Sequence, residues 1–118
     1  MSQIRYILYL QNIAEVGGHE PEENVSDLIR FEALKRLVVA LRQMISNTRF
    51  AIRSKKDKDK FLEYYEWLKK IKKQLGQTYE VKSSQVTHKK VFVLREETFT
   101  NFLDKLDQVK MEIYNIIN

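Results

Sequence analysis

Basic side chains recur at helical spacing in the middle of this sequence. Lys35, Arg42 and Arg49 follow one another at steps of seven residues, and Arg53 comes four residues later. On one helix such residues share a face and lie about 10 Å apart along the axis, so each cation can contact a different phosphate of a nucleic acid. The alternative is a row that flanks a packing seam, where the aliphatic stems cover the core and the charges stay in water.

A tryptophan with several lysines nearby is the second candidate. Trp67 lies at the edge of an apolar helical face and is followed by Lys69, Lys70 and Lys73. An aromatic ring among cations can stack on a base while the cations bind phosphates. Alternatively, Trp67 is a rim residue of the core or of a dimer interface, and some of the lysines complement the C-terminus of a helix.

A polar and basic loop between two apolar stretches is the third candidate. It contains Lys82, Ser83, Ser84, Thr87, His88, Lys89 and Lys90. Hydroxyl and basic groups are suited to phosphate contacts, and Lys89 and Lys90 are the residues that we assign to the binding site. The alternative is an ordinary polar turn.

Groups that could catalyse a reaction or hold a metal are few. His19 and His88 lie in separate polar loops, and His19 has no recognised metal-ligand spacing around it. The three glycines cannot form a phosphate-binding loop, cysteine is absent, and no Ser-His-Asp arrangement is visible. We therefore expect a protein that is not an enzyme and has no metal or cofactor. A metal-dependent nuclease built from scattered carboxylates is the alternative.

The net charge of +5 is unevenly distributed along the chain. Residues 30–95 contain eighteen basic and six acidic residues, a net charge of +12, whereas residues 1–29 and 96–118 carry −4 and −3. A cationic segment of this kind favours a polyanionic partner. The alternative is that the lysines only keep a helical protein in solution.

Apolar periodicity predicts a mainly α fold with a small β-hairpin (α+β), in one domain over residues 1–118. The predicted order is helix, long helix, helix, β-hairpin and long C-terminal helix. The long helix should run from Asn24, its N-cap, to about Ser54, with residues 46–48 as its weakest point. Its core-facing rows are Phe31, Val38, Ile45 and Ile52 beside Leu34 and Leu41.

The remaining elements are predicted from shorter signals. Ser2 could cap a first helix that ends at Gly17, although the same residues could form a strand. Asp27 is expected at the third position of the long helix, where it complements the dipole. Residues 54–60 lack apolar side chains and predict a solvated connection, with Asp57 or Asp59 capping a helix over 58–75 that Gly76 ends. Strands are expected around 79–82 and 91–94.

The C-terminal helix has an apolar stripe that continues almost to the last residue, and we expect a homodimer through this helix in the manner of a coiled coil. No apolar run approaches the roughly 20 residues of a membrane span, and the start of the chain lacks a signal-peptide pattern. We therefore expect an intracellular, cytoplasmic protein without a membrane partner.

Together these features predict a small non-enzymatic protein that binds DNA or RNA through phosphates, with little base specificity. The alternative is a helical protein–protein adaptor or assembly subunit. A helix, a basic hairpin and an apolar C-terminal helix resemble the architecture of winged-helix regulators with a C-terminal dimerisation helix, over about half of the chain. The long second helix and the 54–60 connection depart from the short helices and tight turn of that architecture, and no family is assigned.

Overall fold

The predicted order of elements is confirmed. The computed structural model describes residues 3–16, 23–83, 86 and 89–117, with the backbone alone at residues 16 and 23–26. These residues form α1 Gln3–Val16, α2 Glu23–Thr48, α3 Lys55–Lys69, α4 Lys72–Gly76, β1 Tyr79–Ser83, β2 Lys90–Leu94 and α5 Glu96–Ile117. The first segment is thus a helix and not a strand. The predicted signals at Ser2 and Gly17 lie outside the described residues.

Helix α2 forms the centre of the fold and contacts α1, α3, α5 and β2. The predicted rows are confirmed as core, because every one of their members is buried. One cluster joins them to buried side chains of α1, α3, β2 and α5. No helix in the part of the chain that the structure describes combines the length and apolar character that a membrane span requires.

The prediction that α2 continues to about Ser54 is wrong. The helix ends at Thr48, residues Arg49–Ala51 form a 3-10 turn, and Ile52 is extended. The Thr48 hydroxyl donates to the Met44 carbonyl at 2.7 Å, a side-chain hydrogen bond of the kind that bends or ends helices. The chain therefore leaves the helical axis at the predicted weak point and still brings Ile52 into the core.

Helix α3 begins at Lys55, so the prediction of a solvated connection over residues 54–60 is wrong. Ser54 is the N-cap instead of Asp57 or Asp59, and its hydroxyl oxygen accepts the Asp57 backbone N–H at 3.5 Å. Asp57 lies in the first turn, where its carboxylate complements the helix dipole. Lysine is a good helix former, so the lack of apolar residues here reflects exposure of this turn and not loss of helix.

The predicted helix over 58–75 is divided into α3 and α4. The break falls at Lys70 and Ile71, where the Lys70 N–H donates to the Trp67 carbonyl at 3.0 Å in a tightened last turn. Ile71 is buried at this break, and α4 then runs to Gly76, the predicted end. Lys69 and Lys73 consequently lie on different helices.

The start of α2 also differs from the prediction. Because the helix begins at Glu23, Asn24 lies inside the first turn and is not the N-cap. Asp27 lies beyond the first turn, where the dipole effect is weak. Its carboxylate accepts the backbone N–H of Leu94 at 3.0 Å, so it connects α2 to the end of β2.

The hairpin packs on the N-terminal part of α2 through three aromatic rings. Strands β1 and β2 pair antiparallel with Val81 opposite Phe92. The ring centroid of Phe31 lies 4.8 Å from that of Tyr79 and 5.3 Å from that of Phe92. Edge-to-face and offset aromatic pairs of this kind add about 0.5–1.5 kcal/mol each to area burial. The hairpin is therefore anchored at its base, while its strands become exposed towards the tip.

The apolar stripe of α5 is buried inside this chain as far as Ile113. On the same helix, Lys110 is only 6% exposed and donates to the side-chain oxygen of Gln11 at 2.6 Å. Asp107 pairs with Lys110 at 2.8 Å and accepts a hydrogen bond from Gln11 at 2.7 Å. These bonds, Lys110 first and Gln11 second, lower the pKa of the Asp107 carboxyl below its ordinary value. A satisfied polar network thus fixes α5 against α1.

Arg30 joins three helices. Its Nε donates to the carbonyl of Ala14 at 3.0 Å, near the end of α1 where helical carbonyls lack an intrahelical donor. Its two terminal nitrogens bind the Glu96 carboxylate at 2.7 and 3.1 Å, in the bidentate geometry that favours arginine. The guanidinium also lies 5.0 Å from the ring centroid of Phe99. One side chain on α2 thereby positions the end of α1 and the start of α5.

Candidate nucleic-acid interface

A groove lies between the C-terminal end of α2, the 3-10 turn and α3. Its volume is about 330 Å³. Its lining is mostly apolar and contains no acidic residue; it consists of Ile45, Arg49, Phe50, Lys58, Phe61, Leu62 and Tyr65. We call it the α2–α3 groove. The early end of α2 and the early start of α3 create it, because both helices approach each other across the short connection 49–54.

A smaller recess of about 220 Å³ adjoins the groove at Tyr65 and includes Arg42 and Ser46. The Nε of Arg42 is shielded from solvent and has no hydrogen-bond partner among the described residues. A buried donor without an acceptor is unfavourable. Because this nitrogen is shielded, a ligand in the recess would reach it only after the guanidinium reoriented.

Four cations lie around Tyr65, the residue that lines both the groove and the recess. Arg49 and Lys58 line the groove with it, Arg42 lines the recess with it, and the Lys69 ammonium lies 5.4 Å from its ring centroid. None of these four cations lies within 4.0 Å of a carboxylate in the part of the chain that the structure describes. Several other cations do pair with carboxylates: Arg30, Lys35, Lys60, Lys82, Arg95 and Lys110. Among the described residues, these four side chains are therefore not held in ion pairs.

Phe50 gives the groove an exposed aromatic edge. It is 83% exposed, and the Arg49 guanidinium lies 4.7 Å from its ring centroid. The 3-10 turn contains no buried residue. Because α2 has already ended, the residues of this turn do not continue its buried face. Exposed rings beside arginines are the surface that unstacked bases use.

The structure brings three of the predicted site residues together, namely Arg42, Arg49 and Lys69, and it breaks the predicted row. Arg49 lies past the end of α2. Lys35 lies elsewhere on the helix, where it pairs with Glu32 at 3.4 Å and faces the Phe31 ring.

The other predicted residues lie away from the groove lining. Trp67 is half-buried and faces α5, with its ring centroid 6.0 Å from that of Phe102 and the Lys105 ammonium 5.8 Å away. This is the alternative environment named for Trp67, at the rim of the core. The remaining predicted cations are exposed in the connections, in α4 and at the hairpin: Arg53, Lys70, Lys73, Lys89 and Lys90.

The hairpin and the groove are far apart along α2. The hairpin packs on Phe31, and the groove begins at Ile45, fourteen residues later and so about 20 Å along the helix axis. Lys89 and Lys90 are exposed, whereas Ser84, Thr87 and His88 lie outside the described residues. The hairpin is consequently a separate surface from the groove.

The groove is also lined by residues that were not predicted for the site, namely Phe50, Lys58, Leu62 and Tyr65. Of these, Lys58 was placed in a solvated connection. Phe50 carried a signal, because it falls outside the apolar rows of α2 and stands beside arginine. The sequence matches no family model, and comparisons with curated proteins and with solved structures gave no significant match.

Proposed function

We propose that this chain is a non-enzymatic nucleic-acid-binding protein and that the α2–α3 groove is its contact surface. Phosphates would be bound by Arg42, Arg49, Lys58 and Lys69. The observation that carries the proposal is the grouping of four cations around Tyr65. Arg49 and Lys58 line the groove with it, Arg42 lines the adjoining recess with it, and the Lys69 ammonium lies 5.4 Å from its ring centroid. Phosphate contacts of this kind position the ligand and carry little base specificity.

A protein–protein adaptor is the second candidate, and a different surface favours it. The outer side of α1 and α2 has two shallow grooves that share Glu32 and Arg36. Tyr6, Tyr9, Leu28 and Val39 line them and are all exposed. Exposed apolar side chains grouped in this way are typical of protein contacts. These grooves share no residue with the α2–α3 groove, but Val39 and Gln43 line both the Arg42 recess and one of them.

The homodimer through α5 stays a prediction, as does the cytoplasmic location. Because Ile113 is fully buried within the chain, a dimer would have to use the exposed residues of α5, which include Met111 and Ile117. A nucleic-acid ligand implies a compartment that contains it, so the cytoplasmic location forms part of the proposal.

Binding across a salt series tests the proposed function. Fluorescence anisotropy with a mixed-sequence oligonucleotide should give an affinity that falls linearly with the logarithm of salt concentration. Four neutralised phosphates predict a slope of about −3 to −4. Undetectable binding at about 50 mM salt would contradict the proposal and favour the adaptor.

A further inference from the structure

We infer that the α2–α3 groove selects single-stranded nucleic acid, with an unstacked base placed against Phe50 and the apolar floor of the groove. The inference rests on the proposed function and adds the class of ligand. It follows from the shape of the groove, the exposure of its aromatic edge and the positions of its cations.

The size and lining of the groove suit one planar ring system. Its volume of about 330 Å³ lies at the lower end of the roughly 300–1,000 Å³ of small-molecule sites. Its floor includes the buried Phe61 and Ile45, and Leu62, at 60% exposed, forms part of the wall. A duplex keeps its base faces stacked inside and could offer this floor only its phosphates and groove edges. A single strand can present the apolar face of a base.

The Phe50 ring is positioned to stack on the face of such a base. Its ring projects from the 3-10 turn with most of its surface in water, and the Arg49 guanidinium already lies against it. Every base has a π-face, so stacking on such a ring tolerates any sequence. An arginine beside the ring can bind the phosphate of the stacked nucleotide or extend the stack.

The cations follow the groove on both sides. Lys58 and Lys69 lie eleven residues apart on α3, which is about 16 Å along the helix axis. Tyr65, which lies between them in sequence, lines the groove with Arg49 and the recess with Arg42, both of which come from the α2 side. A flexible strand can bend to meet cations on two sides of a narrow groove. A rigid duplex would contact the outer cations without entering it.

The test compares one oligonucleotide as a single strand and as a duplex, at the same salt concentration, with wild type and two variants. Phe50→Leu removes the ring at an exposed position, and Tyr9→Leu removes an aromatic ring together with its hydroxyl at an exposed position of α1. We expect wild type to bind the single strand at least about tenfold tighter than the duplex. Phe50→Leu should weaken single-strand binding by about five- to 100-fold and change duplex binding less than about twofold, whereas Tyr9→Leu should change neither.

Two results would overturn this inference and leave the proposed function standing. One is equal affinity of wild type for both forms, and the other is an equal loss for both forms in Phe50→Leu. Absence of binding to either form at about 50 mM salt would overturn the proposed function and this inference together. Thermal melting of each variant shows that an altered affinity does not arise from unfolding.

Discussion

Replacing Arg42, Arg49 and Lys69 with glutamine is expected to weaken nucleic-acid binding by about two to three orders of magnitude at ~50 mM salt. Glutamine keeps part of the aliphatic stem and removes the charge. Each lost phosphate contact should flatten the slope of log affinity against log salt by about 0.7–0.9, so the triple variant should lose about 2–3 from the slope. Anisotropy titrations of wild type and variant over the same salt series measure both quantities.

A hairpin variant with the same change in charge is the matched control. This variant replaces Lys82, Lys89 and Lys90 with glutamine. It also loses three cations, but from the hairpin, which packs on the opposite end of α2. The affinity of this variant for the oligonucleotide should stay within about threefold of wild type. Equal losses in the two triple variants would mean that overall charge, and not the groove, determines binding. Because Arg42 is half-buried, the pair Arg49→Gln and Lys69→Gln repeats the test if the triple variant melts early.

Replacing Arg30 with methionine is expected to lower the free energy of unfolding by about 1–3 kcal/mol, mainly through the Ala14 carbonyl, because the Glu96 side chain is 61% exposed and its pair is screened by water. The Arg30 side chain is 15% exposed, and methionine preserves only its apolar stem. The change leaves the Ala14 carbonyl without its donor and the Glu96 carboxylate without its bidentate partner. Since domains of this size are stable by roughly 5–15 kcal/mol, the loss is a large fraction of the total. Urea denaturation at pH 7 measures it.

Arg36→Met is the matched control for that prediction, because Arg36 is an exposed arginine on the same helix. It should change the free energy of unfolding by less than about 0.5 kcal/mol. If both variants lowered the free energy of unfolding by less than about 0.5 kcal/mol, the contacts of Arg30 with α1 and α5 would not contribute to stability as their geometry indicates.

Helix order and core residues could be predicted because they depend on short-range periodicity. The rows of α2 recur at three- and four-residue steps, and the structure buries each of their members. The stripe of α5 is also buried, but the sequence could not show whether its partner was this chain or a second copy. That choice depends on tertiary packing, which here places Ile113 in the core of one chain.

Helix ends were harder to predict, since polarity was taken to indicate a connection. The run 54–60 is polar because it lies on the surface, and it is still helical from Lys55. A hydroxyl cap at Ser54 and a back-bonding hydroxyl at Thr48 lie at these boundaries. Such bonds depend on local geometry that propensity alone does not specify.

The candidate site could be predicted only in part. The cations Arg42, Arg49 and Lys69 were recognisable from their type and spacing, but their meeting point at Tyr65 requires α3 to pack beside the end of α2. Trp67 was predicted as a base-stacking residue because it lies at the edge of an apolar face among lysines, whereas its ring packs towards Phe102 on α5.

Amide chemical-shift mapping with a single-stranded oligonucleotide at low salt tests the central claim most directly, because it locates the contact without any substitution. We expect the largest changes at residues 42–50 and 58–69, with Phe50 and Tyr65 among them, and small changes in the hairpin and on the outer side of α1. Changes centred on residues 79–94 or on α1, with none around Tyr65, would contradict it.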